Sequence, residues 1–149
     1  EIEGYRDVFR RTQGREAPPF IICDFVVCFD DRSKVVEYTD RYFSKLFHQV
    51  ATHYEFGGEH FRSLPSYGTY VTLGEMAEAA GGHHKAYKDY IGANLIGTPE
   101  ELWDQHLART ALVGDYEIVA NFSFGGMPYE LVYDQMKRFA DRIMPKLGK

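Results

Sequence analysis

The sequence lacks both an excess of basic residues and a long apolar run. It has 17 Lys and Arg against 22 Asp and Glu, a formal net charge of −5. Nucleic acids and anionic membranes are bound mainly through basic surfaces, so this balance argues against both as partners. The apolar runs fall far short of the roughly 20 residues that cross a bilayer. No charged-then-apolar leader opens the chain, and we expect a cytoplasmic protein.

Cysteine is scarce, with two residues, Cys23 and Cys28, in the run FIICDFVVCF. A separation of five places them on opposite faces of a strand, so we do not expect them to pair. Their spacing is not that of a zinc site, and no set of histidines and carboxylates has metal-ligand spacing. We therefore predict no metal site, and two buried thiols in a reducing compartment. A glycine-rich phosphate loop is also missing.

The rest of the composition is typical of a globular protein, with 44% apolar and 26% charged residues. The length of 149 residues is enough for one domain. Apolar periodicity predicts helices and buried strands in alternation. In chain order we predict helix 2–13, strand 20–29, helix 33–50, a long loop 51–72, short helices 73–80 and 83–91, a capped helix from 98, strand 115–124 and a last helix from 128. Strands separated by helices indicate a parallel α/β sheet with right-handed crossovers.

The two predicted strands create a physical problem. The strand 20–29 is apolar on both faces, which is typical of a parallel strand covered on both sides, and each of its edges needs a neighbour. No other segment has a clear strand pattern. The sequence therefore predicts that further strands come from a longer parent chain or from a partner polypeptide.

Several short patterns occur in a fixed order along the chain. The first half contains GREAPPFIICDFVVCFDD at 14–31 and THYEFGGEHFRSLPSYGTY at 52–70. The second half contains a GTPEE helix start at 97–101, a strand ending in FSFGG at 122–126, and a last helix with DQMKRFA and then IMPKL. In this order and over essentially the whole chain, the sequence resembles the C-terminal portion of the bacterial luciferase-like flavin-dependent monooxygenases.

The resemblance implies the C-terminal part of a (β/α)8 TIM-type barrel, from about the sixth helix through strands 7 and 8 to the final helix. Residues 1–149 would be a single partial domain, with 51–72 as a long insertion loop. The complete protein would be an oxidoreductase that uses reduced flavin (FMN, or a deazaflavin) and O2 to oxidise a small organic substrate. Its partners would be the missing N-terminal barrel portion or a complementary chain, a flavin reductase, and further copies in a homo- or hetero-oligomer.

The resemblance places the catalytic residues in the absent N-terminal part, so none is predicted here. Barrel enzymes build their sites at the C-terminal ends of the strands. We accordingly predict that Val27, Phe29, Asn121 and Ser123 bind the cofactor. Packing of the barrel core is the competing explanation for Val27 and Phe29, whereas polar residues in an apolar strand favour a function for Asn121 and Ser123.

The segment 51–72 has aromatic residues without helical or strand periodicity. Long loops of this kind are commonly functional, and an oxygen-dependent reaction needs a closing element that excludes water. We predict a substrate pocket or lid formed by His53, Tyr54, His60, Tyr67 and Tyr70. Packing of the loop onto the barrel is the alternative.

Two other interpretations of the whole chain compete with a monooxygenase fragment. One is a non-catalytic flavin-binding or partner subunit of the same family that docks on an active chain. The other is a small independent α/β binding module, and the unpaired strands count against it.

Overall fold

A computed structural model describes residues 2–55, 58–79, 81–82, 87–88 and 90–147. Its elements are α1 (Ile2–Gln13), β1 (Phe20–Cys28), α2 (Arg32–Tyr38), a π-helical turn (Thr39–Phe43), α3 (Ser44–His53), α4 (Glu59–Arg62), a 3-10 turn (Pro65–Tyr67), α5 (Gly68–Ala79), β2 (Leu95–Gly97), α6 (Pro99–Val113), β3 (Tyr116–Asn121), α7 (Tyr129–Arg142) and a 3-10 turn (Met144–Lys146). Within these ranges no helix is long and apolar enough to span a membrane.

The strands form a parallel sheet in the order β2-β1-β3, so the predicted mixed α/β fold is confirmed. The first six residues of β1 pair with all of β3, from Phe20 opposite Tyr116 to Phe25 opposite Asn121. The last three residues of β1 pair with β2, from Val26 opposite Leu95 to Cys28 opposite Gly97. The central strand thus has a different neighbour along each half.

Strand β2 is absent from the sequence prediction, which found only two strands. Three residues are too few to show a period of two, although all three are buried. The expectation that β1 has no second neighbour inside the chain is therefore wrong. The Thr98 capping box that starts α6 directly after β2 is as predicted: Thr98 Oγ1 accepts from the Glu101 amide and Glu101 accepts from the Thr98 amide.

Polar side chains hydrogen-bond to the backbone of β1 and β2 at several positions where no neighbouring strand is present. The Gln105 side chain accepts from the Ile96 N–H at 3.2 Å and donates to the Ile96 carbonyl at 2.9 Å, which closes the outer edge of β2. Asn94 Oδ1 accepts from the Phe25 N–H at 3.0 Å. Beyond the end of β3, Gln135 Oε1 accepts from the Cys28 N–H at 3.1 Å and Arg138 donates to the Cys28 carbonyl. These bonds satisfy buried backbone groups that would otherwise need another strand.

Helices α1, α6 and α7 pack on one face of the sheet. Tyr5 of α1 lies 5.5 Å from the Phe20 ring, Arg109 of α6 binds Asp24, and Phe139 of α7 packs edge-on against Phe122 at 5.5 Å. Phe20 and Asp24, four residues apart on β1, point to the same face, and Phe122 follows the residues of β3 on that side. The helical layer on this side of the sheet is therefore continuous from α1 to α7.

The opposite face of the sheet is bare over the first half of β1. Ile21 is 68% exposed, Val119 is 50% exposed and Cys23, which pairs with Val119, is also exposed. The expectation that both thiols are buried is therefore wrong for Cys23 and correct for Cys28. The strand is covered on both faces only where the chain folds over its C-terminal half.

The predicted helix 33–50 is confirmed as a continuous helical segment from Arg32 to His53. Asp31 is its N-cap and accepts from the Ser33 amide at 2.8 Å. The sequence pattern does not reveal that five residues, Thr39–Phe43, adopt π-helical hydrogen bonding. An inserted π turn shifts the side-chain register, so the buried stripe passes through Thr39 and Phe43.

The segment 51–72 is largely helical where it is described, rather than an irregular loop. Residues 51–53 end α3, and α4, the 3-10 turn and the start of α5 follow. Its glycines and aromatics hid these short helices, because helices of four residues leave no periodic stripe. Residues 56 and 57 lie outside the described part, as do 83–86 and 89 of the predicted helix 83–91, whereas 87, 88, 90 and 91 are helical.

The buried stripe of α7 agrees in part with the one that apolar spacing predicts, which consists of Leu131, Val132, Met136, Phe139, Ile143 and Met144. Val132, Phe139 and Ile143 are buried as predicted, whereas Met136 and Met144 are 49% and 56% exposed. The buried positions are Val132, Gln135 and Phe139. Gln135 was not counted because it is polar, yet its fully buried amide is satisfied by the Cys28 N–H and the Leu131 carbonyl.

Candidate functional site

Three phenylalanine rings meet at the C-terminal end of the sheet. Phe25 lies 5.3 Å from Phe124 and 6.0 Å from Phe43, and Phe43 lies 5.8 Å from Phe124, all edge to face. Tyr90 extends this aromatic wall, 6.0 Å from Phe43. The rings come from β1, the π turn and the turn after β3, so the wall depends on three separate parts of the chain.

The polar groups beside this wall belong to the turn after β3. Asn121 Oδ1 accepts from the Ser123 N–H at 3.2 Å and holds the turn. Within the described part of the chain, Asn121 Nδ2 and Ser123 Oγ make no hydrogen bond, and Ser123 is exposed. Asn121 pairs with Phe25 and so shares the bare face of the sheet with Val119. Both residues are accessible, and their role as cofactor contacts stays a prediction.

The FSFGG turn contacts the π turn directly. Gly125 has φ +61°, and a Cβ there would lie 2.8 Å from the Tyr42 carbonyl carbon and closer still to its oxygen. Asp40, also in the π turn, accepts a short hydrogen bond from the Tyr87 hydroxyl. Burial and this neighbouring carboxylate raise the pKa of Tyr87 to about 12. The glycine pair was the one sequence signal for this close approach.

Val27 and Phe29, the other two predicted cofactor residues, lie inside the core. Val27 has no exposed surface and Phe29 is 5% exposed. Phe29 packs against Tyr38 at 4.8 Å, and the Arg138 guanidinium lies 5.5 Å from its ring. Both belong to the same buried core as Phe43 and Phe124, and a direct contact of either with a cofactor stays a prediction.

The predicted substrate residues form two groups. His60, Tyr67 and Tyr70 gather around Phe61, with ring centroids 4.0, 5.7 and 5.2 Å from it. Phe61 was not predicted, although it lies at the centre of this aromatic cluster. Stacking of Tyr67 and Tyr70 on Phe61 holds the 3-10 turn and α5 against α4. The rings therefore have a packing role, while their use as a pocket stays a prediction.

His53 and Tyr54 form the second group at the end of α3, with rings 5.1 Å apart. The next residue, Glu55, has φ +50°, an uncommon conformation for a residue with a side chain. Its carboxylate lies 3.4 Å from His60 Nδ1, which links the two groups. The Glu55–His60 contact thus connects the two groups, so that the five predicted substrate residues lie close to one another.

A buried ion pair lies under α6 and was not predicted. Asp24 of β1 is 1% exposed and accepts from Arg109 at 2.7 Å, while its Oδ1 has no hydrogen-bond partner among the described residues. Arg109 also donates to the Ala93 carbonyl and lies 5.6 Å from the Tyr116 ring. The residues are 85 positions apart in sequence, so no local pattern signals the contact.

Tyr116 connects this pair to His106, whose Nδ1 lies 2.9 Å from the tyrosine hydroxyl. Burial, with a smaller effect of Arg109, lowers the pKa of His106. A neutral His106 packed beside Trp103 agrees with a structural role for this histidine. In the described ranges, no three His, Cys, Asp or Glu side chains gather as a metal site.

The two cysteines are expected to react with thiol reagents at very different rates. Burial raises the pKa of Cys28 to about 11, whereas Cys23 is exposed on the bare face. Because the thiolate is the reactive form, Cys28 should be protected at least about a hundredfold relative to Cys23 at pH 8. Labelling with a maleimide, followed by peptide mass spectrometry, measures both rates. Fast modification of Cys28 in the folded protein would contradict the packing of β1 under α7.

Comparisons with known proteins bear on the fold. No protein-family model matches the chain, and no curated protein matches it. Among solved structures, the chain is similar to the monooxygenase RslO1 from Streptomyces bottropensis, with a TM-score of 0.56 and 16% identity. The match covers 97% of this chain and 37% of that chain, so this chain spans little more than a third of its length. At this identity the similarity shows a shared fold.

Proposed function

We propose that this chain is the C-terminal part of a flavin-dependent monooxygenase of the luciferase-like type. The complete protein would use reduced flavin and O2 to oxidise a small organic substrate. The proposal is supported by the ordered resemblance along the sequence and by the fold similarity to a monooxygenase. The observation that carries it is the pairing, at the C-terminal end of the sheet, of an aromatic wall with two accessible polar side chains.

The arrangement of helices and strands supports a barrel origin. In an open doubly wound sheet, helices cover both faces, whereas in a (β/α)8 barrel the helices lie outside and the inner face is enclosed by the other strands. Here α1, α6 and α7 lie on one face, and the other face is bare at Ile21, Cys23 and Val119. For β1 and β3 this is the arrangement expected of two neighbouring barrel strands with their outer helices. The short strand β2 lies on the other side of β1 rather than beside β3, and the π turn covers the C-terminal half of the inner face through Phe43 and Phe25.

The groups at the strand ends fit a flavin in part. A flat, largely apolar ring system needs an apolar wall and a few hydrogen-bonding groups that fix its orientation. Phe25 and Phe124 supply such a wall, and Asn121 Nδ2 and Ser123 Oγ are available to bind polar atoms. When bound, reduced FMN or a deazaflavin would supply the reaction with oxygen. This chain would orient the ring and exclude water, while the catalytic residues would lie in the remaining strands.

The aromatic cluster around Phe61 would serve as the substrate-facing element. Its exposed tyrosines, Tyr67 and Tyr70, are 42% and 37% exposed and have apolar rings with a polar end. A flavin reductase would supply the reduced cofactor to the complete protein. A non-catalytic flavin-binding subunit is the alternative within the same family, and it predicts flavin binding without substrate oxidation.

Replacing Ser123 by leucine tests the location of the site. We expect Ser123→Leu in the complete protein to weaken flavin binding by roughly tenfold or more. The substitution removes a hydrogen-bonding hydroxyl and places a branched apolar side chain beside Asn121, where the polar atoms of the flavin would bind. The thermal midpoint should hardly change, since Ser123 is exposed. Flavin fluorescence titration and thermal denaturation measure the two effects separately.

Glu117→Leu is the matched control, because Glu117 is an exposed residue on the same face of β3 at the opposite end of the strand. It should leave flavin affinity unchanged. If Ser123→Leu lowers the thermal midpoint while the folded fraction binds flavin normally, Ser123 is a packing residue and the site lies elsewhere. A complete protein that binds no flavin of either kind would contradict the proposed function itself.

A further inference from the structure

Tyr90 is the exposed end of the aromatic wall. Its ring lies 6.0 Å from the Phe43 ring and 5.7 Å from the Phe47 ring. Tyr90 is nevertheless 46% exposed, whereas Phe43 has no exposed surface and Phe124 is 7% exposed. Within the part of the chain that the structure describes, the Tyr90 hydroxyl makes no hydrogen bond. Tyr90 therefore presents an aromatic surface and a hydrogen-bonding group together.

The backbone of Tyr90 is fixed to the sheet by a buried amide. Asn94 is 6% exposed, and its side chain donates to the Tyr90 carbonyl and accepts from the Phe25 N–H, both at 3.0 Å. One side chain thus joins two members of the wall that lie far apart in sequence. The neighbouring Ala93 carbonyl accepts from Arg109 at 3.0 Å, which attaches the same segment to α6.

A second attachment lies three residues before Tyr90. The hydroxyl of Tyr87, which is 4% exposed, donates to Asp40 of the π turn. The Tyr90 backbone is therefore held on both sides in sequence, by the π turn and by β1. A ring that is already fixed in an exposed position loses little conformational freedom when a ligand packs on it, so such rings make effective contact residues.

Tyr90 and the polar pair of the candidate site lie at opposite ends of the wall. Phe124 directly follows Ser123 in the turn after β3. Phe43 contacts both other rings, with Phe124 at 5.8 Å and Tyr90 at 6.0 Å, so the order along the wall is Phe124, Phe43, Tyr90. A flavin whose polar atoms bind at Asn121 and Ser123 leaves the Tyr90 end of the wall for a second ligand.

We propose that Tyr90 contacts the substrate, that the substrate is an uncharged, planar aromatic compound with a polar substituent, and that Asn94 is a positioning residue for the Tyr90 ring. The side chains of the wall are uncharged and aromatic, and aromatic pairs attract each other beyond the effect of the area they bury. The Tyr90 hydroxyl binds the polar substituent. Because the substrate is that of the complete monooxygenase, this assignment rests on the proposed function and adds the substrate class to it.

Binding of 2-naphthol and of its saturated counterpart, decahydro-2-naphthol, to the complete protein with FMN tests the substrate class. The two probes share one carbon skeleton and one hydroxyl group, so only the aromatic one can stack. We expect the parent to bind 2-naphthol roughly three- to tenfold more tightly. Tyr90→Leu should abolish this preference, whereas Tyr133→Leu, at a position of α7 that is 57% exposed, should keep it. Isothermal titration calorimetry measures each dissociation constant.

Tyr90→Phe tests the role of the hydroxyl, because it keeps the ring and removes the hydrogen-bonding group. We expect it to weaken binding of 2-naphthol roughly three- to tenfold and to leave binding of naphthalene, which has no polar substituent, unchanged. Equal effects on the two probes would contradict a hydrogen bond from Tyr90 to the substrate.

Asn94→Leu and Gln105→Leu test the positioning role as a matched pair. Each removes a side-chain amide that both donates to and accepts from the backbone beside a strand, Asn94 at β1 and Gln105 at β2. Both variants should lower the thermal midpoint, but only Asn94→Leu should lose the preference for 2-naphthol. Equal preferences in the two variants would show that Asn94 has a structural role alone.

Asn94→Asp decides the positioning role if Asn94→Leu does not fold. The aspartate keeps an acceptor for the Phe25 N–H, but it can donate to the Tyr90 carbonyl only while it is protonated. We expect the affinity of this variant for 2-naphthol to fall between about pH 5 and pH 8 as the carboxyl group ionises, while that of the parent stays constant. Affinities that do not change with pH and equal those of the parent would refute the positioning role.

Two outcomes would overturn the assignment of Tyr90. These are equal affinities of the parent for 2-naphthol and its saturated counterpart, and a preference in Tyr90→Leu as large as in the parent. Flavin binding is measured separately on the same preparations. A protein that prefers 2-naphthol through Tyr90 but binds no flavin refutes the proposed monooxygenase function and leaves the aromatic site intact. A protein that binds flavin but shows no preference dependent on Tyr90 refutes the aromatic site alone.

Discussion

Arg109→Met is expected to destabilise the protein by about 3–5 kcal/mol, the range for breaking a buried ion pair by removing one partner. Asp24 is 1% exposed and accepts its one side-chain hydrogen bond from Arg109, so the substitution leaves a buried carboxylate without a counter-ion. The variant also loses the bond to the Ala93 carbonyl, which holds the segment before β2. Urea denaturation of variant and parent measures the difference in the free energy of unfolding.

Arg10→Met is the matched control, because Arg10 also pairs with carboxylates, Asp7 and Glu16, but on the surface of the protein. Exposed ion pairs contribute little, so no measurable loss is expected. Adding Asp24→Asn to Arg109→Met removes the buried charge and should recover a substantial part of the stability. Equal losses in Arg109→Met and Arg10→Met would show that the carboxylate of Asp24 is solvated or paired elsewhere.

The parts of the fold with strong local signals were predictable from the sequence. The capping box at Thr98 fixed the start of α6, and the run of Ile, Val and Phe residues identified β1. In both cases the signal lies within ten residues and depends on one physical effect, the satisfaction of helix N–H groups or the burial of a strand. Predictions of this kind therefore depend little on how the rest of the chain folds.

The features that sequence patterns missed depend on distant partners. Leu95–Gly97 is a strand because β1 and Gln105 lie on its two sides, and three residues carry no pattern of their own. Gln135 is buried because the Cys28 amide needs an acceptor. The stripe of α7 was predicted from apolarity alone, which cannot distinguish a methionine in the core from an exposed one such as Met136.

In the candidate site, too, some features have a local sequence signal and others depend on distant parts of the chain. The FSFGG pattern directed attention to the turn after β3, and Asn121 and Ser123 do lie open at that end of the sheet. The wall beside them depends on Phe43, which a π turn brings into position. A π turn inside a long helix leaves no mark in an amphipathic pattern, so the sequence could indicate the polar half of the site but not the aromatic half.

Gly125→Ala is expected to cost about 2–5 kcal/mol, through two effects that act at one position. A left-handed backbone costs a residue with a side chain about 1–2 kcal/mol, and Gly125 has φ +61°. The new methyl group would also overlap the Tyr42 carbonyl, and overpacking of this kind typically costs about 1–3 kcal/mol. The obstacle is backbone of the buried π turn, so it cannot move aside as a flexible side chain would.

Gly126→Ala separates the two effects, because Gly126 has φ +73° but a Cβ there meets nothing within 4 Å. It should cost only the backbone part, about 1–2 kcal/mol. The difference between the two variants, measured by urea denaturation, is the steric contribution of the contact between the FSFGG turn and the π turn. If the turn yields instead of unfolding, Phe124 and Ser123 shift together, so Gly125→Ala should weaken flavin binding in the complete protein while Gly126→Ala does not. Equal stabilities and equal flavin affinities for the two alanine variants would show that the turn does not rest on Tyr42 and that the aromatic wall is held in another way.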